Sequence, residues 1–115
     1  DIMENWAPGK ISSRIWVTGY EESSDLSSEG TILETAGMDY SRAFYTYSLL
    51  WDKDYYRFYV NGVLVMCSDF GYGTSPVKEQ VILSLCVPEE IILPEDTVRT
   101  MTVDYVRVWQ KPGSE

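Results

Sequence analysis

Histidine is absent from the 115-residue chain. That removes imidazole bases, Ser-His-Asp and Cys-His triads and histidine metal sites, so any acid/base chemistry must come from carboxylates, Lys or Tyr. Cysteine is nearly absent. Cys67 and Cys86 are the only two, each within a strand-like apolar run rather than at a metal-binding spacing. Such residues suit buried hydrophobes better than a catalytic pair, and a disulfide between them stays open. No apolar run approaches the ~20 residues that a membrane helix needs, and the N-terminus has neither a basic region nor a signal-like apolar core. Cations are scarce, with 9 Lys and Arg against 18 Asp and Glu, for a formal charge of −9. The acids are scattered rather than blocked, so the surface is expected to be soluble and to repel phosphate backbones. Neither nucleic acid nor membrane is expected as a partner. There is also no internal repeat, no Gly-rich phosphate loop and no basic stripe with interleaved aromatics, which leaves nucleotide chemistry without support.

What is abundant is aromatic: 14% of the residues, including nine Tyr and four Trp, within a 44% hydrophobic composition. Such side chains fill β cores and line sugar grooves equally well, because each has an apolar face and Tyr and Trp add a polar edge. The length allows one domain or part of one. Helical periodicity is nearly missing, whereas short β-branched and aromatic runs recur between Gly, Pro, Asn and Ser clusters. The pattern predicts an all-β sandwich or barrel with strands over residues 1–5, 11–20, 31–35, 44–51, 55–60, 63–68, 80–87 and 101–110. Asn61-Gly62 between two apolar runs predicts a type I′ hairpin. Along 44–51, Tyr45, Tyr47, Leu49 and Trp51 share one face and are expected in the core. Along 80–87, Ser84 falls on the face opposite Val81, Leu83, Leu85 and Val87 and would look into a groove on that side. The stretches 21–29 and 88–100 read as exposed loops, and 111–115 as a linker or tail that ends the domain at residue 110.

Asp1-Ile2-Met3-Glu4 places two acids three residues apart in a strand-like segment. A regular strand would point them to opposite faces, since side chains alternate with period two. One inserted residue, a β-bulge, would bring both to the same face, and bulges are frequent beside active sites. The first residue is Asp rather than Met, which predicts a processed chain or a piece of a longer one.

At these residues the sequence resembles glycoside hydrolase family 16, the group of laminarinases, lichenases, agarases and carrageenases. Its strand motif Glu-Ile-Asp-Ile-Met-Glu ends in the four residues Asp1 to Glu4. The resemblance continues in order through Phe44-Tyr45-Thr46-Tyr47 and Trp51, Phe58-Tyr59-Val60-Asn61-Gly62, Val81-Ile82-Leu83-Ser84-Leu85, and Val103-Asp104-Tyr105-Val106-Arg107-Val108-Trp109. It implies a concanavalin-like jelly-roll β-sandwich, of which residues 1–110 are the C-terminal half. It also implies a secreted, extracellular, endo-acting retaining β-glycosidase. The expected substrate is a β-1,3-linked polysaccharide, with glucan ahead of galactan.

In such an enzyme two carboxyl groups sit about 5–5.5 Å apart across the scissile bond. Glu4 matches the acid/base, and Asp1 matches the central Asp that supports the nucleophile. The nucleophile belongs two positions before Asp1. The N-terminal half of the domain, carried on a separate chain or lost by truncation, is therefore the expected partner. Asn5, Trp6, Arg14, Trp16 and Ser84 are the candidate substrate-binding residues; Trp6 and Trp16 would stack on pyranose rings or fill the core, and Arg14 would bond hydroxyl or sulfate groups. The chain departs from the family at Arg14-Ile15-Trp16-Val17, where many members have His-Trp, and at Tyr45, where another His is common. No cofactor or metal ligand set is expected, although a structural calcium would need only scattered carboxylates and carbonyls. Two other readings compete: a lectin-like carbohydrate-binding jelly roll without catalysis, and an extracellular protein-interaction sandwich.

Overall fold

In the computed structural model of the chain, which describes residues 1–17, 27–71, 73–87 and 91–112, Pro8 and Gly9 close the first hairpin. Proline presets φ at the first corner, and Gly9 at φ +71° takes the second, a conformation that L side chains rarely adopt. Backbone also crowds this glycine. A Cβ there would lie 2.7 Å from the Met38 carbonyl oxygen and 2.8 Å from that of Thr35. The Thr35 amide donates to the Gly9 carbonyl at 2.9 Å. The hairpin joins β1 (Glu4–Ala7) to β2 (Lys10–Val17), and β3 (Ser27–Glu34) completes an antiparallel sheet in the order β1-β2-β3. Residues 27–29 thus belong to a strand rather than a loop, because they pair with Ile15, Trp16 and Val17. The rest of the expected acidic loop, 21–26, lies outside the described residues.

The second sheet is an antiparallel meander of β4 (Tyr47–Trp51), β5 (Tyr56–Val60) and β6 (Val63–Ser68). Asn61 at φ 48° and Gly62 at φ 79° form the expected two-residue hairpin, with Val60 paired to Val63. Asn61 also anchors this turn, since its amide donates to the Thr46 carbonyl at 2.8 Å and its Oδ1 accepts from the Thr46 amide at 2.9 Å. The β4–β5 turn is organised by Asp52. Its Oδ1 accepts from the amides of Asp54 and Tyr55, both at 2.9 Å, and its Oδ2 accepts from Arg57 at 2.7 Å. The two amides and the guanidinium hold this carboxyl well below the usual carboxylate range.

The core of this unit is small. Ile11, Tyr40 and Phe58 are its buried apolar side chains among the described residues. The expected strand 44–51 forms only over Tyr47–Trp51; Tyr47, Leu49 and Trp51 share one face of β4 and, like Tyr45 before it, are half-buried rather than enclosed, while Leu50 is exposed. Their rings form a chain, Tyr40 against Tyr45 at 5.1 Å and Tyr45 against Tyr47 at 6.3 Å between centroids. Burial, aided by these neighbouring phenols, pushes the Tyr47 hydroxyl up to about 12. The sheets are tied where the buried Ser68 hydroxyl on β6 donates to the Glu29 carboxylate on β3.

Residues Asp1–Lys78 make up this first unit and Glu79–Glu115 a second. The expected strands over 80–87 and 101–110 are not formed: among the described residues of the second unit there is no β-ladder. Side-chain alternation specifies a face, but a strand also needs a neighbour to satisfy its amides and carbonyls, and neither segment joins a ladder among the described residues. Val81, Ile82, Leu83 and Leu85 are each more than half exposed, as are Val108 and Trp109. Cys67 and Cys86 are exposed free thiols, so the expectation of two buried hydrophobes is corrected as well. The chain is thus all-β, with two three-stranded antiparallel sheets and no helix among the described residues.

Candidate functional site

The main-chain nitrogen of Asp1 donates to the Arg14 carbonyl at 2.6 Å, and the Arg14 amide donates back to the Asp1 carbonyl at 3.0 Å. Glu4 is in register with Ser12. Three steps along the first segment therefore oppose two along β2, which is the extra residue of a bulge. The Ser13 hydroxyl donates to the Ile2 carbonyl at 2.9 Å and so occupies an acceptor that the interrupted ladder leaves open. A second irregularity follows between Asn5 and Ala7, around Trp6.

The consequence is that Asp1 and Glu4 meet the same face of β2, on which Ser12, Arg14 and Trp16 alternate. The Trp16 indole Nε1 donates to Asp1 Oδ2 at 2.5 Å. The Arg14 guanidinium lies over the Trp16 ring at 5.4 Å. The Trp6 indole Nε1 donates to Ser12 Oγ at 2.8 Å, and Ser12 Oγ donates to Glu4 Oε2 at 3.3 Å. Opposite Arg14 stands Gly30, where a Cβ would come within 3.1 Å of the Arg14 Cβ and Cγ and 2.6 Å of the Ser13 carbonyl oxygen. Glycine here keeps β3 close to the part of β2 that carries the site.

Five of the sequence-derived candidates, Asp1, Glu4, Trp6, Arg14 and Trp16, thus come together. Trp6 is 65% exposed and Trp16 45%, so each ring presents area to solvent rather than filling the core, while the Trp6 N–H reaches the buried Ser12 and the Trp16 N–H the exposed Asp1 carboxylate. Asn5 is exposed and pairs with Ile11, which by alternation places it on the face opposite Glu4. Ser84 belongs to the second unit, exposed on a stretch without a ladder. Two participants were missed from sequence: Ser12 and Ser13, 3% and 5% exposed. Their signal is a pair of small hydroxyl residues interrupting the apolar run of β2 opposite the acids.

No family model, curated protein or solved structure matches the chain.

Elsewhere in the first unit, Trp51, Asp52, Lys53, Thr74, Ser75 and Pro76 line a cleft of about 310 Å³. Asp52 is committed to its turn, and Lys53 Nζ donates to Asp54 at 2.7 Å. This cleft offers an indole without an acid/base pair. Among the described residues no three His, Cys, Asp or Glu side chains gather into a ligand set for a metal, and no helix is long and apolar enough to cross a membrane.

Proposed function

We propose that the chain carries part of the active site of a secreted, endo-acting retaining β-glycosidase of the jelly-roll type seen in glycoside hydrolase family 16, acting on a β-1,3-linked polysaccharide. The observation that carries this reading is the bulge, which sets Asp1 and Glu4 on one face between two exposed tryptophans. A glycosidase needs that combination: carboxyl groups converging on the scissile bond, and flat apolar rings that stack on the apolar faces of pyranoses. In this role Glu4 protonates the leaving glycosidic oxygen as the C–O bond breaks, then takes a proton from the water that releases the glycosyl-enzyme. Asp1 supports the nucleophile, which comes from polypeptide preceding it. That polypeptide would also supply ladder partners for the alternating segments 80–87 and 101–110, where apolar side chains including Ile82, Val108 and Trp109 are exposed.

Glu4→Gln in the domain completed by the upstream half is expected to lower polysaccharide hydrolysis by about 10²-fold or more, with binding retained. Near-parental turnover in that variant removes Glu4 from the mechanism. A carbohydrate-binding role without catalysis is favoured by one specific observation, that both carboxylates already accept hydrogen bonds from Trp16 and Ser12. Under that alternative, the completed domain binds the polysaccharide and Glu4→Gln changes nothing but affinity.

A further inference from the structure

The hydrogen bonds around Ser12 have a direction that chemistry fixes. An indole Nε1 can only donate, so the Ser12 oxygen must be the acceptor of the 2.8 Å contact from Trp6. With that lone pair occupied, the single Ser12 proton is left to point at Glu4 Oε2, 3.3 Å away. Ser12 is 3% exposed, which keeps water from competing for either bond. The neighbouring Ser13 hydroxyl is turned to the Ile2 carbonyl and takes no part. Oε2 of the carboxylate is thereby an engaged acceptor, and Oε1 is the oxygen that this contact leaves open. Trp6 and Glu4 both lie on the site face, and the link between them runs through the buried Ser12 of β2.

Resting on the glycosidase reading above, we propose that Ser12 is a positioning residue: oriented by the Trp6 indole, its hydroxyl holds Oε2 of Glu4 and reserves Oε1 for proton exchange with the glycosidic oxygen. A 3.3 Å contact is long for a hydroxyl donor, as catalytic hydrogen bonds often are before substrate arrives. The arrangement also couples the substrate platform to the acid. A sugar stacked on Trp6 that shifts the ring shifts the Ser12 hydroxyl with it.

Two measurements on the full protein test this, and they fail separately. In ¹⁵N-indole spectra the Trp6 Nε1–H resonance is expected to move as Glu4 titrates. That movement is absent in Glu4→Gln, lost in Ser12→Ala and restored in Ser12→Thr; persistence in Ser12→Ala overturns the proposal, with no reference to activity. In hydrolysis assays Ser12→Ala is expected to lower kcat about tenfold or more, on the scale of one hydrogen bond to a charged group, with KM unchanged and Ser12→Thr recovering most of the loss. Trp6→Phe, which removes the N–H and keeps a smaller aromatic ring at an exposed position, is expected to lower kcat in the same direction. Parental kcat in both Ser12→Ala and Trp6→Phe overturns the positioning role. If instead Glu4→Gln hydrolyses normally while the parent shows the indole coupling, the acid/base assignment of Glu4 falls and the positioning role with it, while the hydrogen-bond link through Ser12 stands.

Discussion

Single residues decide where the two acids point. The spacing of Asp1 and Glu4 is legible in the sequence as a problem, and the extra residue that solves it is present as a three-against-two mismatch with Arg14 and Ser12. What the spacing could not reveal is how the bulge is held, since Ser13 acts on a carbonyl 11 residues away. It could not reveal Ser12 either, because serine in a strand is silent until its neighbours are known. Trp6 and Trp16, which sequence left balanced between core and surface, both turn ring area to solvent, and the Trp6 N–H alone is anchored on a buried partner, Ser12. Gly9 is the residue on which the β1–β2 hairpin turns. Gly9→Ala must place a Cβ within 2.7 Å of the Met38 carbonyl at a left-handed φ, and is expected to cost about 1–3 kcal/mol, read as a lower urea midpoint with unchanged slope.

At the scale of elements, one turn and the hairpin it joins were readable, and the more distant pairings were not. Asn61-Gly62 specifies its hairpin through the φ preferences of two adjacent residues, so a short window of sequence suffices. The segments 80–87 and 101–110 have strand-like alternation, yet a ladder depends on a partner distant in sequence, and none is formed. The β4–β5 turn and β4 itself bracket the pH range of the fold. Asp52 is held below its ordinary value of 3.8 by the amides of Tyr55 and Asp54 and by Arg57. Its folded-state pKa is lowered, so its contribution is present above pH 3.8 and fades as acid protonates it. Tyr47 runs the other way. Its pKa rises from 10.0 to about 12, so the folded state favours the neutral phenol, and stability present below pH 10.0 is lost toward pH 12. Urea midpoints measured across pH are expected to fall at both ends. Asp52→Asn should flatten the acid limb while lowering the plateau, and Tyr47→Phe should flatten the alkaline limb.

For the molecule as a whole, the informative feature is how few apolar side chains are enclosed beside how many are not. Ile11, Tyr40 and Phe58 are buried, whereas Val81, Ile82, Leu83, Leu85 and Val87 are each more than half exposed. The run Val81-Ile82-Leu83-Ser84-Leu85-Cys86-Val87 has no charge, no proline and no glycine. Seven such residues outside any ladder among the described residues are a template for copies of themselves, stacked in register about 4.8 Å apart in a cross-β fibre. The purified chain is expected to develop thioflavin-positive aggregates with time, and Leu83→Lys to delay them by breaking the run. Stacking would bring something further. Cys86 is an exposed thiol, and in-register copies would set its α-carbons at about the separation that a disulfide spans. An oxidising solution would then join neighbouring copies in pairs through Cys86, leaving covalent dimers that a reductant separates.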